Sequence, residues 1–318
     1  RHDVRVVGPN TSGLLNLPLG LNVIGARGVR AGSLSFLVQS GNMALSLMNE
    51  VTRESREGVS ICCGLGNEAD VGFGEALEYL AVHPGTRAVL AYAEGIRDGQ
   101  RFLTAAARVT REKPVVLIKA ARSAAGAEAA RSHTGAVAGP YERLRAGMTQ
   151  AGIVEVRRAD ELLQVAATLA WQPPAPAGSG VAILSDGGGQ GTLAVDALSE
   201  AGIPLAPLAE PTRSELRSLL GPAAAVGNPV DLAGAADADP VVFARALEIL
   251  ARDPGVGCVL LVGLFGGYGI RFSETLTDGE VEAARRMAAL VESSGKGVVV
   301  HSMYAPHWSP PLEVLGEA

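Results

Sequence analysis

The sequence predicts an α/β protein of two doubly wound, parallel-sheet domains, and three observations carry that expectation. Short apolar runs alternate with amphipathic helical stretches along the chain, the pattern of parallel βαβ units. A proline-rich break, WQPPAPAGSG at 171–180, separates two such regions and reads as a linker, placed at 173–180 between domains at 1–172 and 181–318. The two regions also repeat one another in order and spacing. At 318 residues the chain can bury two cores, and 47% hydrophobic against 19% charged residues is a composition that folds.

In the first region, strands are expected at 33–38, 59–63, 87–92, 114–119 and 153–156; in the second, at 181–185, 203–207, 257–262 and 297–301. A strand-like stretch at 4–7 follows almost directly on Arg1, so sequence upstream is expected to have been removed. The repeat runs through specific residues. Gly66-Asn67-x-x-Asp70 returns as Gly227-Asn228-x-x-Asp231, and from Ala76 onward the offset is a constant 170, as in Ala76 and Ala246 or Val89 and Val259. Each half opens with a strand running into a small-residue turn: Ser40-Gly41-Asn42 in one, Gly187-Gly188-Gly189 in the other.

Composition removes several classes. A formal net charge of −6 argues against nucleic acid, whose phosphate backbone needs a basic face. No apolar run has the length of a membrane span, and no basic-then-apolar leader opens the chain. Three cysteines in no zinc-like spacing suggest neither a disulfide framework nor a metal site, which fits a reducing, cytoplasmic setting. A dinucleotide fingerprint fails because Gly187-x-Gly189 is followed by Thr192 where a third glycine belongs. A dehydrogenase is therefore set aside.

What remains is anion chemistry. Turns that follow a strand and open a helix present unpaired N–H groups and a partial positive charge, and small residues let phosphate oxygens approach the backbone. Of the five histidines, His2, His83, His301 and His307 read as structural or solvated. His133 lies in Ser132-His133-Thr134-Gly135, within a run of Ala, Gly and Ser at 120–139 that reads as a movable loop. A neutral imidazole attacks phosphorus well when an acceptor holds its other nitrogen. Glu94, just past the strand at 87–92, emerges on the matching edge of the sheet and is the candidate acceptor.

These motifs, in order, resemble a known family. GPN-Thr11-Ser12-Gly13, VQSGN, GLGNEAD, YAEGIRDG, IKAARS and SHTGA are similar to the ADP-forming acyl-CoA synthetases, relatives of the succinyl-CoA synthetase α subunit. SDGGGQG, VGNPVDLAG and LLVGLFGG resemble the C-terminal domain of that enzyme's β subunit. The resemblance implies flavodoxin-like domains, a phosphohistidine at His133 oriented by Glu94, and a phosphate site between the helices starting at Ser40-Gly41 and at Gly187-Gly188-Gly189. It implies reversible conversion of acyl-CoA, phosphate and ADP into carboxylic acid, CoA and ATP through an acyl phosphate. CoA and ATP/ADP with Mg would be bound mainly by a CoA-binding domain, of which 1–10 is the end, and an ATP-grasp module. Both would lie on the same or another chain, and self-association is expected. Asn10, Thr11 and Asn67 are candidates for the acyl or CoA mouth, although the family often has cysteine where Thr11 stands. A competing class is a ligand-sensing module of a protein acetyltransferase, which would have no need of a nucleophile.

Overall fold

A computed structural model describes residues 4–54, 57–134, 141–222 and 224–317; within it the side chains of 54 and 132–134 are not described. Two compact units divide at Trp171 and Gln172.

The first unit is a seven-stranded sheet. Its strands are β1 Leu14–Asn16, β2 Leu21–Asn22, β3 Ala31–Val38, β4 Val59–Gly64, β5 Ala88–Ala93, β6 Val115–Lys119 and β7 Val154–Val156. They lie in the order β2-β1-β4-β3-β5-β6-β7. The five strands from β3 to β7 are parallel and form the doubly wound 2-1-3-4-5 arrangement. Two short strands add an antiparallel edge to this parallel sheet, as β1 pairs antiparallel with both β2 and β4. Those short strands sit in GLLNLPLGLN, where Pro18, Gly20 and the asparagines obscure any alternation. The stretch 4–7 is not a strand either. Side chains anchor it: Arg5 pairs with Asp70 at 3.0 Å and Glu75 at 2.5 Å.

Helices cover both faces, as an all-apolar parallel strand requires. The helices are α1 Gly41–Glu54, α2 Phe73–Val82, α3 Gly99–Val109, α4 Ala124–Thr134, α5 Tyr141–Gln150 and α6 Ala159–Trp171. Leu47, Met48 and Val51 of α1 pack with Leu162 and Ala166 of α6 against Leu34, Phe36 and Val38. Phe73 and Leu77 of α2, Phe102 and Ala106 of α3 and Met148 of α5 pack against Leu37, Val89 and Leu117 on the opposite face.

The second unit repeats the plan with four parallel strands, β8 Gly180–Ser185, β9 Val230–Asp231, β10 Val256–Gly263 and β11 Gly297–Ser302, in the order β11-β10-β8-β9. Its helices are α7 Gly188–Glu200, α8 Glu210–Leu220, α9 Val242–Arg252, α10 Tyr268–Arg271, α11 Thr277–Ser294 and α12 Pro310–Glu317. Read from β9, the order is again 2-1-3-4. The expected strand at 203–207 reduces to a single bridge between Val181 and Leu205. Proline at 204 and 207 removes two of the backbone donors a full ladder needs. Among the described residues no helix is long and apolar enough to cross a membrane.

Phe102 is fully buried and meets Phe73 edge-on with ring centroids 6.0 Å apart. Replacing it with alanine leaves a cavity under the sheet, so Phe102→Ala is expected to lower the unfolding free energy by about 3–5 kcal/mol in urea denaturation.

Candidate functional site

From β3 the chain crosses to β4 on one side of the sheet, and the next strand, β5, is laid on the other. The C-terminal ends of β3 and β5 therefore frame a crevice whose peptide groups have no neighbouring strand to pair with. Gln39, the residue after β3, bridges it. Its Oε1 accepts from the backbone N–H of Glu94 at 2.5 Å and of Gly95 at 3.1 Å, and its Nε2 donates to Gly95 O at 2.7 Å. The same nitrogen donates to the carboxylate of Glu68, which is buried and also accepts from Phe73 N at 3.2 Å at the start of α2. Burial raises the Glu68 pKa, and the bonds from Phe73 and Gln39 oppose that shift.

Glu94 thus sits on a loop held from below. Only 8% of it is exposed, at the C-terminal edge of the sheet as its spacing from the strand predicts. The amine of Lys119, at the end of β6 and 4% exposed, donates to Glu94 O at 2.6 Å and also to Ala120 O. Burial lowers the Lys119 pKa while the charges of Glu94 and Glu155 raise it. Tyr92 donates its hydroxyl to Glu94 Oε1 at 3.4 Å, and burial together with the Glu94 charge pushes the phenol up to about 12. Gln39 and Lys119 were not expected as site residues, since each reads as an ordinary strand end. Their partners become visible only when the sheet order is known.

The segment expected to be a loop is corrected. Residues 124–134 form α4, and His133 lies in its last turn, nine residues beyond Ala124 and so about 14 Å along the helix axis at ~1.5 Å per residue. Alanine-rich AAGAEAARS favours helix strongly, and the hydroxyl of Ser123 accepts from Gly126 N at 3.1 Å at its start. With few bulky apolar residues the segment lacks the periodicity that marks a buried helix. The His133 side chain and Gly135 lie outside the described residues.

Both small-residue turns open helices at switch points of their own sheets. Ser40 precedes α1, and its hydroxyl accepts from Met43 N at 3.4 Å; Gly41 and Asn42 are the first two helical residues. Gly187 caps α7 in an extended conformation, with Gly188 and Gly189 exposed in the first turn. The two units match further. Val38 is in register with Tyr92, and Ser185 with Val262, so Asp186 stands where Gln39 does. Asp186 Oδ2 accepts from Leu264 N at 2.9 Å and from the Tyr268 hydroxyl at 3.1 Å. Ser302, at the end of β11, donates to Phe265 O at 2.5 Å, much as Lys119 reaches Glu94 O. Where the first unit has Glu94, however, the offset of 170 places Leu264.

Asn10, Thr11 and Asn67 come together beyond β4. Asn10 Nδ2 donates to Asn67 Oδ1 at 3.4 Å, and Thr11 donates to Gly64 O while accepting from Gly13 N at 3.0 Å. Glycine is required beside them, because a Cβ at Gly64 would fall 2.6 Å from Ser12 Oγ and one at Gly66 would fall 2.3 Å from Pro9 O. The Ser12 hydroxyl is buried with no hydrogen-bond partner among the described residues, and its Cβ lies 3.1 Å from where a Cβ on Gly41 would be. Among the described residues no cluster of three or more His, Cys, Asp or Glu is placed to hold a metal ion.

Comparison with known proteins bears on both units. Residues 31–169 match the succinyl-CoA ligase like flavodoxin domain, and residues 181–292 match the ligase-CoA domain. The chain is 35% identical over 329 residues to acetate–CoA ligase [ADP-forming] II subunit alpha of Pyrococcus furiosus, an alignment covering 100% of this chain and 71% of that protein. It is 38% identical over 263 residues to acetate–CoA ligase [ADP-forming] I of Archaeoglobus fulgidus, covering 82% of this chain and 38% of that one. Among solved structures, dinucleotide forming acetyl-coenzyme A synthetase 1 of Ca. Korarchaeum cryptofilum, in complex with phosphate and ADP, superposes with a TM-score of 0.81 at 27% identity. That match covers 98% of this chain and 69% of the solved chain.

Two consequences of this geometry are measurable. Gln39→Ala strips the Glu94–Gly95 peptide of its acceptor and the buried Glu68 of a donor, and is expected to cost about 2–3 kcal/mol in urea unfolding. Burial raises the Asp186 pKa against the bonds from Leu264 and Tyr268, and the charge of Asp231 adds to the rise. A carboxyl raised in the folded state contributes stability while protonated and loses it as pH climbs from the usual carboxylate range through the folded value. Asp186→Asn should therefore melt above the parent near pH 7, with the gap closing towards about pH 4.

Proposed function

The chain belongs to the ADP-forming acyl-CoA synthetases, and on that premise we propose that it is the part of such an enzyme that passes a phosphoryl group from acyl phosphate to nucleotide. Acyl-CoA and phosphate give acyl phosphate and CoA. A ring nitrogen of His133 then attacks phosphorus: an N–P bond forms, the bond from phosphorus to the acyl oxygen breaks, and the carboxylate leaves. ADP removes the phosphoryl group from His133 to make ATP. Dividing the reaction in this way spares the enzyme from gathering all reactants at once.

The observation that carries this reading is Glu94, a buried acid whose backbone is held at a switch point by Gln39 and Lys119. In the role assigned to it, Glu94 accepts from the second ring nitrogen of His133, which selects the nucleophilic tautomer and stabilises the cationic adduct. The repeat supports the assignment, because the second unit has Leu264 where the first has Glu94. Phosphate is assigned to the helix N-termini at Ser40-Gly41-Asn42 and Gly187-Gly188-Gly189, with the unpartnered Ser12 hydroxyl beside the first. Asn10, Asn67 and Thr11 are assigned to the acyl or CoA mouth; the hydrogen bonds that already engage the Thr11 hydroxyl make its role there one of shape.

ADP-forming CoA ligases use CoA, ADP and phosphate. For this chain, CoA-binding and ATP-grasp modules on the same or another polypeptide are proposed to hold CoA and nucleotide, with Mg accompanying the nucleotide. Self-association of the assembled enzyme belongs to the same proposal.

Incubation with acetyl phosphate, or with ATP and the ATP-grasp partner, should place acid-labile, base-stable phosphate on the chain. His133→Ala is expected to abolish it, and Glu94→Gln to slow its formation by about 100-fold or more. Ligand binding with no phosphate on His133 would instead support a sensing module.

A further inference from the structure

A cavity of about 620 Å³ opens beyond the C-terminal ends of β5, β6 and β7, and its lining does not include the turn at Ser40-Gly41-Asn42. Its wall includes Tyr92, Lys119, Arg122, Ser123, Tyr141 and Arg157. We propose that this cavity binds a small polyanion bearing phosphate or carboxylate groups.

Charge carries the inference. In a chain of net charge −6, three cations converge on one depression. Arg122 and Arg157 form no ion pair with a described carboxylate, and the charge of Arg122 acts against that of Lys119. Glu94 and Glu155 offset the charge of Lys119, which leaves the two arginines. Glu142 lines the cavity, but Arg145 lies 3.7 Å from its carboxylate; Glu155 accepts from the Tyr141 hydroxyl at 2.7 Å. Arg122 for its part meets the neutral Tyr141 hydroxyl. Two guanidinium groups at one depression with no ion pair to a described carboxylate repel each other, and a bound anion offsets that repulsion.

Shape and placement agree. The volume suits a small molecule, and the C-terminal edge of a parallel sheet is where such folds take ligands. Guanidinium groups present planar pairs of donors that match carboxylate and phosphate oxygens. The first turn of α4 also opens here at Ser123 and Gly126, adding its partial positive charge. An occupant would touch Tyr92, which bonds to the Glu94 carboxylate, and Lys119, which bonds to the Glu94 carbonyl, and so would be felt at that residue.

The inference rests on this cavity and not on phosphoryl transfer, so its test needs neither acyl-CoA nor nucleotide. The 318-residue chain is titrated calorimetrically with pyrophosphate and, separately, with citrate at constant ionic strength. Saturable binding of at least one is expected, weakened tenfold or more in both Arg122→Gln and Arg157→Gln. Both arginines are exposed, so the variants should melt with the parent. Arg245→Gln, at an exposed arginine of the second unit that does not line the cavity, should bind within twofold of the parent. The stronger arm tells phosphate from carboxylate chemistry. No saturable binding of either anion, binding that survives both cavity substitutions, or equal loss in Arg245→Gln would overturn the proposal.

Discussion

A doubly wound sheet must part its crossovers somewhere, and the peptide groups exposed at that parting have to be satisfied by side chains. The role proposed for Glu94 depends on how that is done. In the first unit Gln39 reaches from the end of β3 to the Glu94–Gly95 peptide, and Lys119 reaches from the end of β6 to the carbonyl of Glu94. A half-buried amide and a buried amine thereby hold this loop, and the loop carries a carboxylate. An unpaired peptide group in that place would cost about 1–3 kcal/mol, comparable with a sizeable part of a domain's stability.

The same constraint, met twice, explains the likeness of the two units better than their apolar strands do. Asp186 takes the place of Gln39 and Ser302 that of Lys119, and each satisfies the corresponding loop with different chemistry. Amide and carboxylate both offer an acceptor at the right distance, while amine and hydroxyl both offer a donor. Between those supports the first unit holds Glu94 and the second Leu264. A shared scaffold can therefore keep its architecture in both copies while an acid stands at this position in only one.

The cation-lined cavity shares two of these side chains. Tyr92 and Lys119 line it and also bond to Glu94, one at the carboxylate and the other at the carbonyl. Lys119 is the hinge of this arrangement. Burial lowers its pKa, nearby carboxylates raise it, and its amine is committed to two backbone carbonyls.

Periodicity was enough to locate most of the long parallel strands, because a strand buried on both faces must be apolar along its length. It also placed Glu94 on the correct edge, since the residues just past such a strand can only emerge there. The chain's own spacing revealed the repeat, and its charge balance argued against nucleic acid. Periodicity did not reveal β1, β2 and β9, which are two or three residues long, nor α4, whose alanines favour helix without an apolar stripe. Nor could it reveal Gln39, Lys119, Asp186 or the convergence of Arg122 and Arg157. Local propensity and burial are written in neighbouring residues, whereas the partner of a strand-end side chain is set by which strands lie side by side, and only the folded sheet decides that.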